Sequence, residues 1–243
     1  MASEVVFTVD RINHDQAKQI HNIMNQGGLC ILPSDSSYVL TGDLRKDGIS
    51  IDIDILLKRN GMKMSLAFGS LTQVSNRMNL STMAVRFVEE LSPRGLTFVA
   101  MPKSKAFRAF SENILHADGT VGIRLTRSTI ETSLADYYPL PTTPIRDENN
   151  AEIGTAYDAL EIVKKRMIEY SIDRPLAIID NGKVPFLGRL SSVVKEEMHD
   201  GLWRLVIIRE GAISFEEICN VASQCGYSEV IKKQIRKERR KKF

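Results

Sequence analysis

The sequence predicts an α/β (α+β) fold, a twisted mixed sheet with flanking helices over one continuous core. Three observations predict it. Short apolar runs bounded by glycine or proline recur, as at Leu29–Leu32 and Leu96–Met101, the pattern of strands buried on both faces. Segments with apolar residues at helical spacing alternate with them, as at Ala17, Ile20 and Met24, or Leu160, Val163 and Met167. No repeat, long linker or low-complexity segment interrupts this pattern before a basic tail at Ile231–Phe243.

Taken in order, Asn13 or Asp15 caps a first helix that ends at Gly27-Gly28. Leu29–Leu32 is a strand stopped by Pro33. Residues 49–59 fit an alternating edge strand or a helical face; Leu56, Leu57, Lys58 and Arg59 extend the helix, which Gly61 ends. Leu66–Phe68 is a short strand. Ser81 caps a helix through Val85, Phe87, Val88 and Leu91, closed by Pro93 and Gly95. Leu96–Met101 and Thr120–Leu125 are strands, and Thr129–Tyr138 is a helix. Pro139–Gly154 is rich in turn residues. A helix over Tyr157–Tyr170 follows, then strands at Leu176–Asp180, Leu190–Val194 and Leu202–Arg209, and a last helix at Phe215–Cys225.

The 243 residues suffice for one large domain. No run approaches the roughly 18 apolar residues of a membrane span. The first residues lack a basic region followed by an apolar one, so no signal peptide is expected. Three cysteines without metal-ligand spacing imply reduced thiols in a cytoplasmic protein, with Cys30, Cys219 and Cys225 packed in the core. The four histidines also lack ligand spacing, so no metal site built by protein ligands alone is expected. Residues 231–243 carry eight Lys or Arg and one Glu, a local +7 that leaves −4 on the rest of the +3 chain. Such a tail neutralises nucleic-acid phosphates without reading sequence, or is a solvated helical extension.

Candidate site residues cluster at strand ends. Ser34, Asp35, Ser36, Ser37 and Tyr38 follow the first buried strand, either facing a ligand or forming a polar turn. Arg59 and Lys63 could hold a triphosphate or a carboxylate, or simply end a helix in solvent. Thr120 and Arg124 point to one face of their strand. An inward Arg124 needs either a bound anion or an internal carboxylate. Ser191, Ser192 and Arg209 complete the set, as nucleotide contacts or turn residues. No GxxxxGK[ST] loop, GxGxxG turn or Ser/His/Asp arrangement is present.

In order and spacing these pieces resemble the YrdC family of threonylcarbamoyl-AMP synthases, nearest its YciO branch. PSDSSYVL resembles the family's P-T-D-T-x-Y-G-L, Arg59 and Lys63 its R-x-x-x-K, and SPRGLTFVAM its P-G-P-x-T-x-V-L. TVGIR, GRLSSVVK and IIREGAI resemble T-V-G-V-R, G-x-x-S-T-V-V-D and I-L-R-E-G-A-I. The resemblance implies a basic central cavity over residues 1–213, with 214–243 a helical extension and basic tail. It implies a nucleotidyltransferase joining threonine, bicarbonate and ATP, with Mg, to threonylcarbamoyl-AMP and pyrophosphate for tRNA modification. Ser34, Ser36 and Tyr38 would then line the threonine side. Arg59, Lys63, Thr120, Arg124, Thr143, Ser191, Ser192 and Arg209 would hold ATP. The chain departs from the pattern at S-A-N, where TTPIRDENN stands from Thr142, and at an expected histidine, where Phe68 stands. These departures favour the alternative, a catalytically degenerate nucleotide- or RNA-binding protein of the same fold. A carbamoyl-adenylate transferase acting on a small molecule would need a second catalytic domain.

Overall fold

The computed structural model describes residues 3–35, 37–92, 95–103, 113–184 and 190–232. The first half of the chain forms β1 (Glu4–Thr8), α1 (His14–Asn25), β2 (Leu29–Pro33), β3 (Tyr38–Gly42), α2 (Ile49–Leu56), β4 (Ser65–Phe68), α3 (Leu71–Arg77), β5 (Met78–Asn79) and α4 (Thr82–Leu91). The second forms β6 (Leu96–Pro102), β7 (Val121–Leu125), α5 (Thr129–Ala135), β8 (Leu140–Pro144), α6 (Ala156–Glu169), β9 (Leu176–Asp180), β10 (Ser192–His199), β11 (Leu202–Arg209), α7 (Phe215–Cys225) and β12 (Glu229–Lys232). The strands make one mixed sheet, ordered β1-β9-β2-β3-β8-β4-β7-β6-β10-β11-β12, with β5 beside β6. The fold is the mixed α/β sheet with flanking helices that the sequence predicts.

Strand β2 shows why its run is apolar without alternation. Leu29 and Ile31 enter one core with α2, α4, α6 and α7. Cys30 and Leu32 enter a second core with α1 and α5. The neighbouring β9 divides in the same way, Ile178 to the first core and Ala177 and Ile179 to the second. Helices therefore cover both faces here, and apart from Asp180 at the end of β9 no polar residue stands on these strands.

Local chemistry sets the helix starts. Asn13 accepts from the Gln16 amide at 2.9 Å, and the Gln16 side chain accepts from the Asn13 amide at 2.9 Å, a complete capping box. Ser81 caps α4 through the Ala84 amide at 3.0 Å. Its expected closure at Pro93 lies outside the described residues.

The turn-rich segment contains a strand. Strand β8 pairs antiparallel with both β3 and β4, through short ladders. Pro141 and Pro144 bring no ladder donor, so its sequence reads as turn. Strand β1 escapes sequence reading because only Phe7 of its five residues is buried. Residues 214–232 share the main core: Ile218, Ala222, Cys225 and Tyr227 belong to it, and β12 pairs parallel with β11. The boundary expected at residue 213 therefore falls between elements of one core, while residues 233–243, most of the basic tail, lie outside the described residues. No helix among the described residues is long and apolar enough to cross a membrane.

Ile218 is fully buried. Ile218→Ala should cost about 3 kcal/mol of stability in urea unfolding, with the denaturant slope unchanged. His21 packs against Tyr137 and Tyr138, with centroids 4.0 and 5.3 Å away. Burial lowers its pKa from 6.5 to about 4; the Leu134 carbonyl and Asp43 oppose this weakly, and Arg45 reinforces it. Neither ring nitrogen has a hydrogen-bond partner among the described residues. A lowered histidine pKa means the unfolded chain binds the extra proton, so stability should fall as pH drops below about 6.5. The full effect, about 3 kcal/mol, accrues towards pH 4. In His21→Leu, melts between about pH 6.5 and 5 should lose this part of the slope.

Candidate functional site

A cavity of about 1290 Å³ lies over the strands from β3 to β11. Eight Lys or Arg and four Asp or Glu residues line it. Glycine helps to keep it open: a Cβ on Gly122 would meet Thr97 Cγ2 at 3.0 Å and Ser65 Oγ at 3.1 Å. Ser34, Arg59, Lys63, Arg124, Thr143, Ser191 and Arg209, all candidates from sequence, are brought together on its walls.

One end is cationic. The chain after α2 turns tightly, with positive φ at Lys58, Asn60 and Gly61. This turn brings the Arg59 guanidinium back onto its own loop, donating to the Met62 carbonyl at 3.1 Å and the Lys63 carbonyl at 2.7 Å. Arg209, at the end of β11, donates to the Ser191 carbonyl at 2.8 Å and to Ser191 Oγ at 3.2 Å. Ser191 Oγ shares a 2.8 Å hydrogen bond with Thr97 Oγ1. Arg146 stands on a small hairpin, where Ile145 and Ile153 pair and Arg146 bridges Glu152. Its guanidinium meets Glu152 Oε1 at 2.5 Å and the Asn150 carbonyl at 3.1 Å.

These three guanidiniums feel one another. Burial lowers the Arg59 pKa; Asp54 opposes this and Arg146 adds to it. Burial also lowers that of Arg209, again with Arg146 adding to it. Arg209 is solvent-accessible yet ringed by protein, because the surface it exposes faces the cavity. Glu152 balances Arg146, and its own pKa is raised because burial outweighs the attraction of Arg146. Desolvated like charges held this way attract a multivalent anion.

The other end is balanced internally. Arg124 on β7 pairs with Glu131 of α5, and with Asp35 at 3.3 Å. It also donates to Thr142 Oγ1 at 2.9 Å and Ser34 Oγ at 3.0 Å. Glu131 is fully buried and accepts from Ser34 Oγ at 2.8 Å and Thr126 Oγ1 at 2.5 Å. Burial raises its pKa; Arg124 opposes this. Asp35 further accepts from the Arg127 and Ser128 amides at 3.0 and 2.9 Å. Of the two partners open to Arg124 from sequence, the structure supplies the internal carboxylate.

Three candidates from sequence do not face this cavity. Tyr38 is fully buried; its hydroxyl donates to the Gly182 carbonyl at 2.8 Å and accepts from the Asn181 amide at 3.1 Å. Ser192 Oγ accepts from the Gly211 and Ile213 amides at 2.9 and 3.0 Å and donates to the Ile213 carbonyl, fixing the turn after β11. Thr120 Oγ1 donates to Asp118 at 2.6 Å, and Asp118 in turn pairs with Lys195 at 2.7 Å. That pairing holds the Asp118 carboxyl well below the usual range against the opposing effect of burial. Ser36 and the 185–189 part of the GRLSSVVK stretch lie outside the described residues.

Sequence reasoning missed Ser92 as a candidate contact, whereas Ser37 stands in the polar stretch it singled out. Ser37 and Ser92 both line the cavity. Their hydroxyls, and that of Thr143, are buried on cavity-lining residues without a hydrogen-bond partner among the described residues. Such groups cost stability unless a ligand supplies the partner. Glu131 was also missed, as one residue within the helix read over Thr129–Tyr138. Ser128 does cap α5, through the Glu131 amide at 3.3 Å. The Glu131 side chain goes to Arg124 instead.

Comparison with known proteins agrees with this architecture. The family model described as telomere recombination, which groups Sua5, YciO and YrdC, matches residues 22–211. No curated protein matches the chain. Among solved structures, a double variant of P. abyssi Sua5 superposes with a TM-score of 0.71 at 18% identity, over 90% of this chain and 60% of that one. P. abyssi Sua5 complexed with L-threonine gives 0.70 at 17%, over 93% of this chain and 62% of that one. E. coli YciO gives 0.64 at 16%, over 90% of this chain and 100% of its own. The chain thus spans about 60% of the length of the Sua5 chains it matches, and at these identities the likeness is one of fold. With the family match covering most of its length, the chain belongs to the Sua5/YciO/YrdC family.

Proposed function

We propose that the cavity binds ATP and that the chain is a nucleotidyltransferase of the threonylcarbamoyl-AMP synthase kind, serving tRNA modification. The observation that carries the reading is the meeting of Arg59, Arg146 and Arg209 at one end of the cavity, where Glu152 is ion-paired with Arg146. A triphosphate chain answers that charge, and the Thr143 and Ser92 hydroxyls offer hydrogen bonds to the nucleotide. Lys63 and Ser191 line the same wall.

The chemistry asks little of a protein nucleophile. A carbamate oxygen, formed from threonine and bicarbonate, attacks the α-phosphorus and pyrophosphate leaves. Guanidinium groups that align the phosphates and balance the charge on the leaving pyrophosphate provide that catalysis. Mg would arrive with the nucleotide, held mainly by phosphate oxygens and water, so few protein ligands are needed. Asp147 and Glu148 on the hairpin turn line the cavity on the side of Arg146, with Glu148 paired to Lys165 at 2.9 Å. The L-threonine bound by P. abyssi Sua5 supports threonine as a substrate.

A second reading, nucleotide or RNA binding without turnover, is favoured by two observations. Arg124 is already matched by Glu131 and Asp35, and Phe68 is buried in the core where the family pattern has a histidine.

Calorimetry should show ATP binding, weakened about tenfold, or ~1.4 kcal/mol, by each of Arg59→Ala, Arg146→Ala and Arg209→Ala. No adenine-nucleotide binding, or wild-type affinity in all three variants, would sink the cavity assignment. Pyrophosphate release that requires threonine and bicarbonate picks the synthase reading; binding without release picks the second. For RNA, deletion of residues 233–243 should lower tRNA affinity at low salt, and gel shifts unchanged by the deletion would remove the tail from the account.

A further inference from the structure

Two loops carry Arg59 and Arg146, and one buried side chain touches the root of each. Arg166 stands on α6 and is 6% exposed. Its Nη1 donates to the Leu56 carbonyl at 2.9 Å and its Nη2 to the Arg146 carbonyl at 2.8 Å. Leu56 is the last residue of α2, and the carbonyls of a last helical turn lack intrahelical donors. The chain then enters the turn that carries Arg59. There the Arg59 amide donates to the Asp54 carbonyl at 3.0 Å, and the Gly61 amide to the Asp54 carboxylate at 3.2 Å. Arg146 begins the hairpin that bridges back to Glu152. One planar fork therefore joins the start of the Arg59 turn to the start of the Arg146 hairpin.

This is a costly way to hold two loops together. A cation taken out of water normally stands beside an acid, and an apolar residue often packs as well. Among the described residues no carboxylate pairs with Arg166; Glu148 feels its charge but bonds to Lys165 at 2.9 Å. Ala159 and Val163 fill the buried face of the same helix without that cost. What the fork adds is alignment. Arg59 and Arg209 both feel Arg146, so a shift of the hairpin alters the spacing of the whole cluster. Several guanidiniums grip one phosphate chain together only when their separation matches it.

We propose that Arg166 is a positioning residue for the nucleotide site, setting the distance between Arg59 and Arg146 through their loops. The inference rests on the reading of this end of the cavity as the phosphate site. Arg166 also reaches the cavity wall, so direct contact with the phosphates is the rival account, and the two differ in how its loss combines with the loss of Arg59 or Arg146.

Two variants separate the fork from the charge: Arg166→Met removes both, and Arg166→Lys keeps the charge alone. The probes are a non-hydrolysable ATP analogue and AMP, which lacks the pyrophosphate part, titrated calorimetrically into the full chain. Each variant should bind the ATP analogue about fivefold more weakly than wild type, and AMP within about twofold of it. In an Arg59→Ala or an Arg146→Ala background the loss on changing Arg166 should shrink to about twofold, because one of the groups it aligns is gone. Without nucleotide, amide exchange at Arg59 and Asp147, whose N–H groups donate to the Asp54 and Ala151 carbonyls, should speed up in both variants. Wild-type affinity in R166K, an equal loss for AMP, or the full loss in both backgrounds overturns the proposal. So does unchanged exchange at either amide. If R166M does not fold, R166K carries every comparison alone. A wild-type chain that fails to bind the ATP analogue counts against the phosphate site, whereas the exchange result still decides whether Arg166 holds the two loops.

Discussion

The architecture depends on one short join. Strand β8 is the sole bridge, among the described residues, between the β1-β9-β2-β3 half of the sheet and the β4-to-β12 half. It pairs two residues with β3, at Val39↔Pro144 and Leu40↔Thr143, and three with β4. Two prolines in five residues forbid a longer ladder. The threonines between them, Thr142 and Thr143, line the cavity. The seam of the sheet is thus also the wall of the site. Weak pairing at the seam leaves open the space that the flanking helices would otherwise fill.

That space holds a deliberate imbalance of charge. Cations taken out of water normally need acids beside them. At the Arg124 end they have them, in Glu131 and Asp35. At the other end Arg146 has Glu152, while Arg59 and Arg209 lean on backbone carbonyls and are both repelled by Arg146. The same fold therefore contains one satisfied and one unsatisfied arrangement of the same side chain. Departures from local satisfaction of this kind concentrate where proteins bind their ligands.

Much of the fold was legible because burial leaves a periodic mark. Strands β2 and β9 are covered on both faces and read as continuous apolar runs; α1, α4 and α6 show one apolar face. Strand β8 was illegible because its residues are turn formers held in a ladder only by neighbours distant in sequence. At the site, Arg59, Lys63 and Arg209 were legible as cations at element ends. Hydroxyl direction was not: Tyr38, Ser192 and Thr120 sit at spacings that suit a ligand contact, yet each hydroxyl turns to a nearby carbonyl, amide or carboxylate. Arg146 stood in the segment that breaks the family pattern, and only the hairpin of residues 145–153 shows that it reaches the same cluster.

Strand β12 has a geometric consequence for the residues beyond it. It runs parallel to β11, pairing Lys232 with Ile207, and the Lys232 ammonium contacts Glu210 at 2.9 Å. The chain therefore leaves the sheet beside Arg209, on the rim of the hollow. Whatever β12 contacts at its end is thereby brought to the entrance of the hollow rather than to the far side of the sheet.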